Sequence, residues 1–169
     1  MSLRLPHSLW RFAESPFEVL KASTVAYMLS GRYVSDYRSR HWSKSNPEGF
    51  CQLCVMGSYP SVLGTLEHLL VECPAIAATR TQSKYHWSDY LTDKPNLMPI
   101  ISTYFDTGNM VNQQLQVQFL LDPASCPEVI ESVQNFGIGV LSDILYLTRT
   151  WCYSHHLERQ KLLRLYNII

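Results

Sequence analysis

The sequence predicts a mainly α-helical chain, and three observations carry that prediction. Apolar residues recur at helical spacing in several stretches, helix caps and stops bracket those stretches, and strand-period alternation occurs once. The 169 residues are 46% hydrophobic and 17% charged, the balance of a globular chain. A chain of this length buries roughly 70% of its unfolded surface, so a proper core is available. The expected organisation is a helical, ligand-bearing domain over 1–110 and a C-terminal helical segment over 111–169 packed on it.

The first helix runs from Pro16 to about Ser30. Ser15 caps it, Pro16 takes the first helical position, and Glu18 closes a capping box three residues after Ser15. Phe17, Leu20, Thr24, Tyr27 and Met28 recur at helical spacing, and Gly31 supplies the stop. Next comes the polar, aromatic stretch RYVSDYRSRHWSKSNPEG, whose Ser-Asn-Pro end reads as a turn. A short helix follows over Leu66–Glu72, with Thr65 as cap and Pro74 beyond its end.

Residues 80–115 read as short helices and loops punctuated by Pro95 and Pro99. Leu115, Val117, Phe119 and Leu121 alternate as a strand would, but a lone strand has nothing to pair with, so helix and strand both stay open there. Pro127 then opens a long amphipathic stretch in which Ile130, Val133, Phe136, Val140, Ile144, Leu147 and Trp151 form one apolar stripe. Gly137 and Gly139 weaken that helix by about 1 kcal/mol each relative to alanine. The tail HHLERQKLLRLYNII is helical by composition, which completes a C-terminal helical hairpin.

The strongest chemical signal is Cys51-Gln-Leu-Cys54 followed by His68 and Cys73, a C-x2-C-x13-H-x4-C spacing. Two cysteines separated by two residues can aim both thiolates at one ion from a tight turn, and a histidine and cysteine at a helix complete a tetrahedron. Sulfur-rich donors select zinc over magnesium or calcium. Positions five apart on a regular helix differ by about 140° around the axis. Cys73 must therefore sit past the helix end, where Pro74 forces a break. Four protein ligands leave no open position, so the expected site is one structural Zn2+ stapling a small helical domain. The competing reading makes these ordinary core residues. Cys152, His155 and His156 offer a second cluster, read as a core cysteine with solvated histidines.

Fourteen basic and fourteen acidic side chains cancel, which excludes a chain-wide basic field. The first twenty residues have no apolar run and no small-residue cleavage site, so no secretory signal is expected. No run of 18 apolar residues predicts a membrane span, and five cysteines argue against a disulfide framework. An intracellular setting, nuclear or cytoplasmic, is expected. Residues 1–50 nevertheless hold seven Lys/Arg against four Asp/Glu. Within them Arg32, Tyr33, Tyr37, Arg38, Arg40, His41, Trp42 and Lys44 interleave cations with aromatic faces, opposed only by Asp36. Such a segment can neutralise phosphates and stack unpaired bases. The same aromatics could instead anchor the cysteine cluster to the first helix. No phosphate-binding loop, dinucleotide fingerprint, nucleophile elbow or zincin helix is present, and no constellation supports catalysis.

The segments GRYVSDYRSRHW, GFCQLC and GTLEHLLVECPA together resemble the zinc-binding C-terminal segment of LINE-type (non-LTR) retrotransposon reverse transcriptases. FLLDPASCPEVIE and LTRTWCYSHHLERQKLLRLYN look like the tail of such polyproteins, so the resemblance spans about residues 24–169, most specifically 51–74. The resemblance implies that Cys51, Cys54, His68 and Cys73 are the ligands, and that the segment is non-catalytic and helps a polymerase engage RNA or DNA. The reach to His68 is longer than in many members, with Met56-Gly57-Ser58-Tyr59-Pro60 as an inserted loop, and the endonuclease and polymerase domains are absent from these residues. The chain then reads as an excised domain, a degenerate remnant or a co-opted protein. The function expected is a non-catalytic, zinc-stabilised module that binds RNA or single-stranded DNA. The alternative is a zinc-stapled structural or protein-interaction module, docking a partner through the 127–165 helices, with no nucleic-acid binding.

Overall fold

The computed structural model describes residues 10–33, 35–41, 44–105 and 113–167. The chain is mainly α. Its helices are α1 (Pro16–Leu29), α2 (Asp36–Ser39), α3 (Gln52–Met56), α4 (Ala77–Thr92), α5 (Met98–Phe105), α6 (Gln113–Leu121), α7 (Pro127–Phe136) and α8 (Gly139–Leu165). Extended pairing among the described residues is a single antiparallel bridge, Phe50 to Leu63.

The 27-residue helix α8 is the axis, with α1, α3, α4, α6 and α7 laid against it. Val140, Ile144, Leu147 and Trp151 of the expected stripe are buried, joined by Leu141, Leu145, Cys152 and Leu163. Trp151 stands at the centre of an aromatic cluster, 5.0 Å from Trp87 of α4 and 5.1 Å from Phe105 of α5. Tyr104 stacks on Phe119 of α6 at 4.3 Å. Rings at these separations add about 0.5–1.5 kcal/mol per pair beyond their buried area. The open choice at 113–121 resolves to helix. Val117, Phe119, Leu120 and Leu121 are all buried because α6 packs against both α5 and α8, so its burial masks the helical period.

The expected single stripe over Ile130–Trp151 is corrected at Gly137. The helix stops at Phe136 and restarts at Gly139, so α7 and α8 form a hairpin and the apolar face does not carry through. Val129 is the buried residue of α7, while Ile130 and Phe136 stay 45% and 61% exposed. Gly137 lies at φ 89°, ψ 174°, a region open essentially to glycine alone, and a methyl group there would meet nothing within 4 Å. Gly137→Ala is therefore a purely backbone perturbation. It is expected to lower unfolding stability by about 1–3 kcal/mol, read as a lower urea midpoint at unchanged m value.

Helix α1 begins at the expected cap, with Ser15 Oγ accepting from Glu18 N at 3.1 Å, while the Glu18 carboxylate accepts from Lys21 rather than closing the box. Its buried face is Lys21, Ala22, Val25 and Met28; of the spaced residues read from the sequence only Met28 is buried, and Phe17, Leu20 and Tyr27 face outward. The small Ala22 and Val25 let α1 approach α8. Lys21 is tolerated inside because its ammonium bonds Glu18 (2.8 Å) and Thr150 (3.1 Å) and lies over the Phe17 and Tyr146 rings. Where short helices were expected, α4 runs 16 residues. Ser83, Trp87 and Leu91 are its buried positions, a stripe too narrow to stand out in the sequence.

Candidate metal centre

The Asn46-Pro47-Glu48-Gly49 turn is closed by Gly49 N donating to Asn46 O, and the Asn46 side chain clamps Phe50 through both its backbone groups. From there Cys51 N donates to Val62 O and Gly64 N to Gly49 O, which pairs the two edges of the loop. Cys51 caps α3 and Cys54 sits one turn into it, so both thiols point to the same side. The Met56–Pro60 insertion is accommodated as the loop that closes α3. Gly57 N donates to Leu53 O, and Tyr59 N returns to Cys54 O.

The second pair of ligands comes from a helical turn that starts where expected, with Thr65 Oγ1 accepting from His68 N at 3.1 Å. It then widens. His68–Glu72 is a π turn, closed by Cys73 N donating to His68 O at 2.7 Å. An i→i+5 bond stacks residue 73 over residue 68, so the turn removes most of the 140° that would separate them on an α-helix. Cys73 is the first residue past this turn and Pro74 follows, as the spacing requires.

The four side chains converge. Cys51 Sγ lies 3.8 Å from Cys73 Sγ, Cys54 Sγ lies 3.7 Å from Cys73 Sγ and 3.2 Å from His68 Nε2, and all four donor atoms fall within 4.8 Å of one another. Zinc bonded at its usual lengths to sulfur and nitrogen in a tetrahedron gives edges of about 3.8 Å for S–S and 3.6 Å for S–N. The sulfur edges match, and the donor set of three thiols and one imidazole is the chemistry that a thiophilic ion selects. All four residues are buried. The other face of the imidazole, Nδ1, lies 3.5 Å from Glu72 Oε2, and Gln113 of α6 donates to the same carboxylate. A carboxylate behind a ligating histidine orients the ring and leaves Nε2 as the donor. Such an ion, when bound, cross-links α3 to the π turn.

An ion taken up by this cluster would compete with protons for the thiols. The hydrogen bond to the Cys73 sulfur, with burial, pushes the Cys51 thiol up to about 12, and burial pushes Cys54 up to about 11. Cys73, accepting from Cys51, is held below the ordinary thiol value.

The basic segment lies beside this centre. Gly64 allows it: a Cβ there would come within 2.5 Å of Asp36 Cβ, and Tyr37 N donates to Gly64 O across the contact. Tyr33, Tyr37, Arg38, Arg40 and His41 line a cleft of about 450 Å3 with Met28, Gly31, Ser35 and Leu66. Arg32, Arg38, His41 and Lys44 are exposed, while Arg40 is half-buried with its guanidinium 3.7 Å from the Tyr37 ring. Tyr33 is an anchor: it is 8% exposed, with its hydroxyl 3.2 Å from His156 Nδ1. Trp42 lies outside the described residues. Asp36, the segment's own acid, is buried on Arg159 of α8 at 3.1 Å and accepts from Gln52 N at the start of α3.

Cys152, His155 and His156 do not form a second ligand group; among the described residues the one such cluster holds residues 51, 54, 68 and 73. Cys152 donates to Leu120 O. The reading of His155 as solvated is corrected: it is fully buried, stacked on Trp151, with Nδ1 2.8 Å from Trp151 O, and burial holds it neutral with a pKa of about 4. Glu72 and Arg80 were not singled out by sequence. Glu72 was legible four residues after His68, on the same helical side.

No helix among the described residues is long and apolar enough to cross a membrane. Comparison of the chain with protein-family models, with curated proteins and with solved structures finds no match.

Proposed function

We propose that this chain is a non-catalytic, zinc-stabilised module that binds RNA or single-stranded DNA inside the cell. The observation that carries the reading is the cleft beside the ligand cluster. Its wall brings Tyr37, Arg38, Arg40 and His41 together, and the segment's acid is turned inward onto Arg159. Cations that reach phosphates next to an aromatic face that can take an unstacked base are the elements of sequence-tolerant single-strand binding. The resemblance to the retrotransposon segment supports the same reading, and the four-ligand donor set supports a structural role for zinc.

An Arg38→Ala, Arg40→Ala variant tests it by fluorescence anisotropy with labelled single-stranded RNA and DNA across a salt series. Binding is expected to weaken about tenfold at low salt, with the log–log salt slope falling by about 1.4 for two lost phosphate contacts. Binding unchanged by the substitutions, or no binding at low salt in the parent, sinks the proposal. The second reading, a protein-docking module, draws on the exposed Ile130 and Phe136 of α7, which leave apolar surface at the hairpin. A parent that ignores nucleic acid at low salt favours it.

A further inference from the structure

Three thiolates, a neutral imidazole and a divalent ion sum to one surplus negative charge, buried with its ligands. Such a charge is costly unless a cation stands next to it. Neither lysine nor arginine occurs among the ligand-bearing residues 51–73. The cation comes from α4. Arg80 folds back over the end of the π turn, and its Nη2 donates to Cys73 O at 2.8 Å and to Glu72 O at 3.1 Å. Those carbonyls lie at the end of a helical turn next to Pro74, which has no N–H to offer. The second amino group, Nη1, is shielded from solvent and has no hydrogen-bond partner among the described residues. A guanidinium held by one amino group against the backbone of a ligand, with the other buried and unspent, is placed to offset the surplus charge of the filled cluster.

We propose that Arg80 is the counter-ion of the filled metal site, and that its charge sets how tightly the site retains its ion. This rests on the metal-binding reading of the cluster. Burial pulls the Arg80 pKa below the usual guanidinium value, and the neighbouring Cys73, Glu72 and Cys54 oppose that pull. Arginine suits the position because one amino group can serve both carbonyls while the rest of the guanidinium keeps its charge in a half-buried place.

The test uses the full chain with Arg80→Met, which keeps the stem and removes the charge, and Arg80→Lys, which keeps the charge and loses the fork. Zinc affinity is read by competition with a chromophoric chelator, and cobalt substitution reports the thiolate-to-metal band. Circular dichroism of the metal-free proteins checks the fold. Arg80→Met is expected to bind zinc about 10–100-fold more weakly than the parent, with Arg80→Lys recovering most of that loss. An Arg80→Met variant within about two-fold of the parent overturns the inference, as does an equal loss in both variants, which assigns Arg80 to tying the carbonyls alone. A parent that takes up neither zinc nor cobalt is a separate outcome: it overturns the metal reading and the inference with it.

Discussion

One zinc ion per chain is the expected result of native mass spectrometry on the parent, and none on a Cys51→Ser, Cys73→Ser variant. The variant is also expected to lose the fold of the ligand-bearing region. Structural zinc binds finger peptides with about 10–16 kcal/mol, comparable with the whole stability of a domain of this size. The loss should spread, because Leu53, Leu69 and Leu70 belong to the same apolar cluster as the aromatic core. Trp151 Nε1, at the centre of that core, donates to Leu70 O at 3.1 Å. Chelation of the parent should therefore lower its melting temperature and loosen the core together. The pH dependence has a definite sign. The ion binds deprotonated sulfur, while Cys51 and Cys54 carry their protons well above neutral pH in the ion-free state. Uptake displaces at least these two protons, so apparent affinity should fall by at least about 100-fold for each pH unit lowered across the neutral range. A folded parent that carries no zinc and ignores chelators would make the four residues plain core, and the resemblance would then describe ancestry alone.

The candidate ligand cluster is legible in the sequence because its chemistry is local. Thr65, His68, Cys73 and Pro74 lie within ten residues, and helix geometry alone demanded a break before Cys73. That demand is met by a widened turn rather than by unwinding, a choice between two backbones that spacing cannot make. What stayed hidden depends on partners far along the chain. The inward face of α1 was misjudged because a lysine occupies it, and Lys21 is acceptable there only with Thr150, 129 residues away, to receive it. The α7–α8 break was misjudged because the Ile130–Trp151 stripe keeps its spacing across Gly137, and only the backbone angle at that glycine ends it. For Tyr33 the sequence leaves base stacking and anchoring both open; His156, 123 residues away, makes it an anchor.

The same long reach underlies the second large expected effect, which falls on Asp36. Its side chain and that of Arg159 are 7% and 8% exposed, and the pair is the only ion pair among the described residues with both members this deeply buried. Asp36 also accepts from Gln52 N at the head of the helix that carries Cys54, so one carboxylate ties the basic segment, the ligand cluster and α8 together. Asp36→Ala strands the Arg159 guanidinium in the interior, and breaking a buried pair in this way costs about 3–5 kcal/mol. Arg159→Met alone strands the carboxylate in turn, although that anion keeps its backbone donor. The double variant leaves no unpaired charge, so it should be more stable than the sum of the singles by about 1–3 kcal/mol. Urea denaturation of the four proteins, all zinc-loaded, reads this coupling directly. Additive losses would mean that the two side chains act independently and that the interlock lies elsewhere. If the coupling is found, the exposed cations of the cleft owe their free faces to it, since the one acid among them is held inward by α8.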